Sequence, residues 1–162
     1  FNIFHLHLTD NQGWRIEIKS LPNLTKVGAW RVPRTGYWKG FLPPQPGEET
    51  TYGGFYTHED IKELVAFAKE RNVTIIPEID VPGHSLALIA SYPELSCTKK
   101  PQQVLAGDPW NVSRTNVLCV SNDSVYDVLD KIVTELSMLF PSEYIHIGGD
   151  EVNRIYWKKC SS

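Results

Sequence analysis

Apolar and polar positions along the chain follow two alternating regimes. Residues 1–8 read Phe-Asn-Ile-Phe-His-Leu-His-Leu, rich in aromatic and branched side chains and stopped by Thr9 and Asp10. That pattern predicts a buried strand. A second such run covers residues 73–79, and a third covers 144–147 ahead of Gly148 and Gly149. Between the first two runs, Ile61, Leu64, Val65 and Ala68 recur at helical spacing through Glu70, behind a capping-box-like Thr57-His58-Glu59-Asp60. Between the second and third, Val125, Val128, Leu129, Ile132, Val133, Leu136 and Leu139 trace another apolar stripe that stops before Pro141. The predicted order is strand, helix, strand, helix, strand.

Strands buried on both faces and joined by helices imply parallel pairing, found in doubly wound sheets and in eight-stranded α/β barrels. The connections favour the barrel. No glycine-rich phosphate fingerprint follows any strand, while long loops follow the first two, over residues 11–56 and 81–122. A complete barrel takes about 250 residues and eight strands. The expectation is therefore an α/β fold, a partial TIM (β/α)8 barrel with three legible parallel strands, crossover helices and long βα loops. Residues 1–162 are then a fragment with both ends truncated, Phe1 reading as a cut point. Pro77 sits inside the second strand, where its missing amide hydrogen argues against a central position unless the ladder is broken there.

Hydrophobic residues make up 41% of the chain and aromatic ones 11%, enough for a real core, which excludes whole-chain disorder. Sixteen Lys and Arg stand against 19 Asp and Glu, with a net charge of -3 and no basic run to follow phosphates, so nucleic acid is not the expected partner. No apolar stretch approaches the roughly 20 residues that span a bilayer. Cys97, Cys119 and Cys160 lack the paired close spacing of a zinc site. Cys97 and Cys119 either bridge their loop in an oxidising compartment or remain thiols, and the spacing leaves both open. Sequons at Asn23, Asn72, Asn111 and Asn122 matter only in a eukaryotic secretory pathway.

Each predicted strand ends in an acid: Asp10, then Asp80, then Asp150 with Glu151. In a barrel these ends share one mouth, so acids distant in sequence become neighbours around one pocket. One such Asp is as well explained as a helix cap. All of them together, with His84 close behind Asp80, are not. Glycosidic cleavage needs a proton for the leaving oxygen and stabilisation of an oxocarbenium-like centre, which paired carboxylates in different environments supply. Adjacent strand residues point to opposite faces, so Gly148 and Gly149 matter, because they permit irregular backbone that aims Asp150 and Glu151 inward. A solvated acidic turn is the bland alternative. Aromatic residues crowd the loops: Trp14, Trp30, Tyr37, Trp38, Phe41, Tyr52, Phe55 and Tyr56, then Trp110. Most are assigned to a small core under the loop, with one or two left to line a sugar pocket. His5 and His7 alternate on the first strand, and with His84, His146 and Asp150 a metal site can be drawn. Neutral histidines facing a polar barrel interior explain the pair without metal.

Taken together, FHLHLTDNQGWRIEIK, YTHEDIKELVAFAKERNVTIIPEIDVPGH and SMLFPSEYIHIGGDE resemble the family 20 glycoside hydrolases, the retaining β-N-acetylhexosaminidases, in order and spacing over nearly the whole chain. PEIDVPGH and HIGGDE are highly specific as a combination. The resemblance implies hydrolysis of terminal non-reducing β-linked N-acetylglucosamine or N-acetylgalactosamine by substrate assistance, in which the 2-acetamido oxygen attacks the anomeric carbon. It implies Glu151 as general acid and then base, and Asp150 as the residue that orients the acetamido group. His84 and Asp10 become a hydrogen-bonded relay behind the acid, and Asp80 a position near the bound sugar. It implies no metal and no cofactor, an N-acetylhexosamine-containing oligosaccharide or glycoconjugate as partner, and a periplasmic, extracellular or lysosomal-type compartment. The family's substrate-gripping Arg and its pocket-walling Tyr, Trp and acidic residues come from segments outside these 162 residues, so this stretch alone is expected to be inactive. A non-catalytic carbohydrate-binding remnant and a metal-dependent barrel hydrolase stand as alternatives.

Overall fold

The computed structural model describes residues 1–37, 41–107 and 116–160. In chain order its elements are β1 (Ile3–His7), β2 (Thr9–Asp10), β3 (Gly13–Trp14), α1 (Asn23–Lys26), β4 (Trp30–Arg31), β5 (Tyr52–Gly53), α2 (His58–Lys69), β6 (Thr74–Glu78), α3 (Leu86–Ser91), α4 (Asp123–Leu139) and α5 (Ile155–Lys158). β1 and β6 pair in parallel, from Ile3 opposite Thr74 to His7 opposite Glu78. The third predicted strand is present as a parallel bridge between Glu78 and His146. There the His146 amide donates to the Pro77 carbonyl (2.9 Å) and the Ile79 amide to the His146 carbonyl (3.0 Å).

Pro77 explains why that third segment pairs so briefly. A strand residue points its N–H and C=O to the same edge, and the Pro77 carbonyl faces His146, so the proline nitrogen faces that segment too. It has no hydrogen to give, and the ladder begins only beyond it.

The two long helices form as their sequences predict. Thr57 caps α2 in a closed box: its hydroxyl accepts from the Asp60 amide, and the Asp60 carboxylate accepts from the Thr57 amide. Ile61 and Ala68 are buried on the inner face of α2. The Asn122 side chain caps α4 by accepting from the Ser124 amide, and Val125, Ile132, Leu136 and Leu139 form its buried stripe. α3 was not predicted. All six of its residues are buried, and a helix apolar on every side carries no periodic signal.

The connection after β1 folds over a core of its own. β2 and β3 form a tight antiparallel pair, β4 and β5 another. Trp14, Ile16, Ile18, Leu21 and Leu24 are buried beneath them and join one cluster with α3, Ile61, Ile75, Ile79 and the α4 stripe. The Trp14 and Trp30 indoles donate to the carbonyls of Ile16 (2.6 Å) and Thr25 (2.9 Å), so these two rings belong to the scaffold.

β1 departs from the expectation of a strand buried on both faces: Ile3 and Phe4 are half exposed, and only Leu6 packs against the core. Among the described residues β1 is paired along one edge only, which leaves its other edge and much of one face uncovered. Trp38, Trp110 and the sequon at Asn111 lie outside the described residues. None of the described helices is long and apolar enough to cross a membrane.

The α4 stripe gives a direct test. Ile132 is fully buried whereas its neighbour Val133 is 43% exposed. Ile132→Ala is expected to lower the unfolding free energy by about 2–5 kcal/mol, and Val133→Ala by no more than about 0.5 kcal/mol, measured by chemical denaturation. Equal losses at both positions would mean that α4 is not packed through this face.

Candidate active site

The carboxyl-terminal ends of β1, β6 and the bridged third segment deliver four acids and a histidine to one place. β1 runs into the turn at Asp10, where the Asn11 amide donates to Asp10 Oδ1 (2.5 Å). β6 runs into Asp80, 3% exposed, whose amide donates to Thr9 Oγ1 (3.0 Å). A cis Val81–Pro82 peptide follows, and then His84 in the left-handed region at φ 46°. The third segment enters through Gly148 and Gly149, at φ 65° and 105°, and reaches Glu151 at φ 47°. Non-glycine residues rarely hold positive φ, and of the four described residues that do, His84 and Glu151 carry side chains of the site.

The glycines have separate reasons to be glycine. A Cβ on Gly148 would overlap the Asp80 carboxylate. Gly149 has room for a side chain but holds φ 105°, which L residues rarely adopt, and in that conformation it donates its amide to Asp80 Oδ1 (3.1 Å), so Asp80 grips the turn that presents Asp150 and Glu151. Asp150 and Glu151 are largely open to solvent, but they are not a free acidic turn. Glu151 Oε2 lies 3.1 Å from His84 Nε2, and Asp150 Oδ2 lies 3.7 Å from the same nitrogen.

His84 is held from both sides. Its Nδ1 lies 2.9 Å from Asp10 Oδ1. The hydrogen bond to Asp10, reinforced by nearby carboxylates, raises the His84 pKa to about 9 against the opposing effect of burial. Asp10 is bonded in turn to His7, whose Nε2 lies 3.5 Å from Asp10 Oδ2, and His7 is likewise raised to about 9, chiefly by Asp10. Burial works against the charged form of Asp10, but hydrogen bonds from His7, His84 and the Asn11 amide hold its carboxyl well below the usual carboxylate range. Burial pushes Asp80 the other way, upward, with the Gly149 amide opposing.

A second layer lies behind this one. Glu78, 6% exposed, is reached by His5 Nε2 (2.5 Å), His7 Nδ1 (3.1 Å) and His146 Nδ1 (3.3 Å). Acids and imidazoles therefore alternate without a break from Glu78 through His7, Asp10 and His84 to Glu151. Such a line couples the charge on Glu151 to groups far behind it.

All five site residues taken from the sequence meet here: Asp10, Asp80, His84, Asp150 and Glu151. Sequence reasoning missed Asn11, whose side chain lies 3.4 Å from His84 Nδ1 and accepts from the Leu86 amide (3.3 Å), fixing the start of α3. It missed Glu78 as well, although an acid inside the β-branched run Ile75-Ile76-Pro77-Glu78-Ile79 was the available signal. Among the residues of these two layers, two groups have the spacing to hold a cation, since the ligand atoms of His5, Glu78 and His146, and those of Asp80, His84 and Asp150, lie within 4.8 Å of one another. In the second, both His84 nitrogens already face carboxylates. Tyr52, Phe55 and Tyr56 are exposed and line an open groove with Arg15 and Arg31 beside His7, the Arg31 guanidinium lying over the Tyr52 ring.

The pattern of the family described as "Glycosyl hydrolase family 20, catalytic domain" matches residues 1–162. A β-hexosaminidase of Vibrio furnissii is 46% identical over 165 aligned positions, covering 100% of this chain and 26% of that protein. One from Porphyromonas gingivalis is 42% identical over 160, covering 99% of this chain and 18% of that protein. The chain thus spans about a quarter or less of the length of these relatives. Among solved structures, an exo β-N-acetylglucosaminidase of Vibrio harveyi in complex with N-acetylglucosamine superposes with a TM-score of 0.78 at 43% identity, covering 99% of this chain and 24% of that one.

The charge assignment can be tested by titration. His84 and His7 have folded-state pKa values near 9 against an ordinary 6.5, so their contribution to stability is fully present below pH 6.5 and is lost as pH rises through 9. Asp10, depressed from 3.8, contributes in the opposite sense, present above that value and lost as pH falls through its lowered pKa. In Asp10→Asn the His84 imidazole is expected to titrate at least about one unit lower by NMR, and the loss of stability between pH 7 and 9 is expected to shrink. An unshifted His84 would mean that Asp10 does not hold its charge.

Proposed function

Because the chain belongs to glycosyl hydrolase family 20, within its catalytic domain, we propose that the protein removes terminal non-reducing β-linked N-acetylglucosamine or N-acetylgalactosamine from oligosaccharides or glycoconjugates. The observation that carries this reading is the His84 bridge, with Asp10 on Nδ1 and Glu151 on Nε2. A general acid must surrender its proton to the glycosidic oxygen and then recover one from water. An imidazole bonded to that acid's carboxylate stabilises the anion left by the first step and relaxes when the proton returns.

In this reading Glu151 protonates the leaving oxygen while the substrate's 2-acetamido oxygen attacks the anomeric carbon from the opposite side. An oxazolinium-like intermediate forms, and water activated by Glu151 opens it with net retention. Asp150, on the same turn, steers the acetamido group and balances its developing positive charge. Asp80 serves by gripping the Gly149 amide, which sets the height of the acid-bearing turn, and by lying beside the sugar. Glu151 and Asp150 are exposed on the side where substrate arrives, while Asp10 and His84 approach from behind. The architecture proposed to surround them is the (β/α)8 barrel, of which β1, β6 and the third segment are three neighbouring strands. Their parallel order and shared carboxyl-terminal edge support it.

The test uses the full-length protein and an aryl β-N-acetylglucosaminide. Glu151→Gln is expected to lower kcat by roughly a hundredfold or more with KM little changed. The loss should be larger on an oligosaccharide, whose leaving group needs the proton more. A Gln variant with full turnover on both would remove Glu151 from the acid role, and an intact wild type that binds the sugar without cleaving it would make this a binding module.

A further inference from the structure

The three cysteines, far apart in sequence, are gathered at one point by backbone the fold fixes independently of them. Cys119 donates its amide to the Leu95 carbonyl (2.8 Å), and Leu118 bridges Ser96 in antiparallel fashion, which brings Cys119 beside Cys97. The Trp157 indole donates to the Leu118 carbonyl (2.8 Å), which brings α5 and Cys160 to the same place. The Cys119 and Cys160 sulfurs are 3.3 Å apart, the Cys97 thiol is hydrogen-bonded to both, and all three sulfurs lie within 4.8 Å of one another. Cys119 is buried and the other two are half-buried, and no S–S bond joins any of them.

Three sulfurs drawn together from three chain segments are a donor set in search of a cation. Zinc binds thiolate at about 2.3 Å, so tetrahedrally placed sulfurs stand roughly 3.8 Å apart, and sulfurs gathered within 4.8 Å of one another, one pair at 3.3 Å, need only small movements to reach that spacing. Sequence spacing argued against a zinc site because it looks for close pairs. This set has none, since its ligands are assembled by tertiary contacts.

We propose that Cys97, Cys119 and Cys160 form a trithiolate site for a thiophilic d10 cation, with Zn2+ as the working ion and solvent completing a tetrahedral set. Loading replaces three thiol protons by one divalent ion, so affinity rises with pH. The ion ties α5, and with it the segment that follows Glu151, to the paired backbone of Leu95–Ser96 and Leu118–Cys119. This is a structural centre apart from the His84 cluster, and it stands whether or not the hydrolase reading does.

The full-length protein, purified under a phosphine reductant without chelator, is expected to retain one zinc per chain after dialysis. The metal-free reduced protein is expected to bind Co2+ with a sulfur-to-cobalt charge-transfer band in the near ultraviolet that Zn2+ abolishes. Cys97→Ser and Cys160→Ser should each weaken Zn2+ binding by roughly a hundredfold or more, beyond what loss of an outer-shell partner does. Should either variant fail to fold, the cobalt spectrum of the wild type decides alone. A reduced wild type with no charge-transfer band, or one that binds zinc no better than the triple serine variant, overturns the proposal. So does native protein in which mass spectrometry finds two of the three thiols joined as a disulfide. None of these readouts uses turnover, so failure of this site and failure of the hydrolase reading are separable.

Discussion

The parallel register of β1 against β6 determines where everything else falls. His7 opposite Glu78 puts both strands' carboxyl ends at one level, so the turn at Asp10 and the turn from Asp80 to His84 leave the sheet side by side. An antiparallel pairing would have sent them to opposite ends, and the His84–Asp10 bond would not exist. Thr9 then joins the two turns directly through its hydroxyl bond from the Asp80 amide. Asn11 continues the link by accepting the first amide of α3. The connections between secondary elements are thus the site itself, and the core of Trp14, Ile16, α3 and the α4 stripe exists on the side of the sheet that supports them.

Charge is arranged along this frame so that no buried acid stands alone. An isolated buried carboxylate carries a desolvation cost of several kcal/mol, and Glu78 is offset by three imidazoles at hydrogen-bond distance. Asp10 takes two. The result is a row in which removal of one member leaves its neighbours unpaired, so single substitutions propagate. The strained residues fit this picture. His84 and Glu151 hold positive φ because their side chains must reach each other across the ends of two strands, and the bond between them is part of what retains that backbone.

How legible this was from sequence differs by element, for physical reasons. α2 and α4 announce themselves through period and caps, because each buries one stripe and solvates the other. The second strand was visible as a β-branched run despite Pro77, and the same proline curtailed the third strand, since one lost amide hydrogen acts on the neighbour and not on its own strand. α3 was invisible, being buried on every side. The four acids and the histidine of the candidate site were legible because each follows a strand, whereas Asn11, Thr9 and Glu78 were not. Their roles depend on which turn meets which, and that is a property of the register. The cysteine cluster was hidden for the same reason, its members being brought together only by tertiary contacts.

The acid-bearing turn is anchored from both of its sides, and that is what allows its carboxylates to be exposed. Upstream, Asp80 takes the Gly149 amide at a position where Gly148 admits no side chain. Downstream, α5 is pinned by the Trp157 indole on Leu118 and by Cys160 among the other sulfurs. Residues 150–154 lie between these clamps with no regular structure of their own. A side chain that must meet a ligand cannot be held by burial, so its placement has to come from the backbone on either side and from a partner behind it. Glu151 has all three, with His84 as the partner. In the proposed role of Glu151 as general acid, a loop held only upstream would leave it free to sample geometries in which its proton misses the bond, and a misplacement of about 1 Å is enough to cost on the order of a hundredfold in rate.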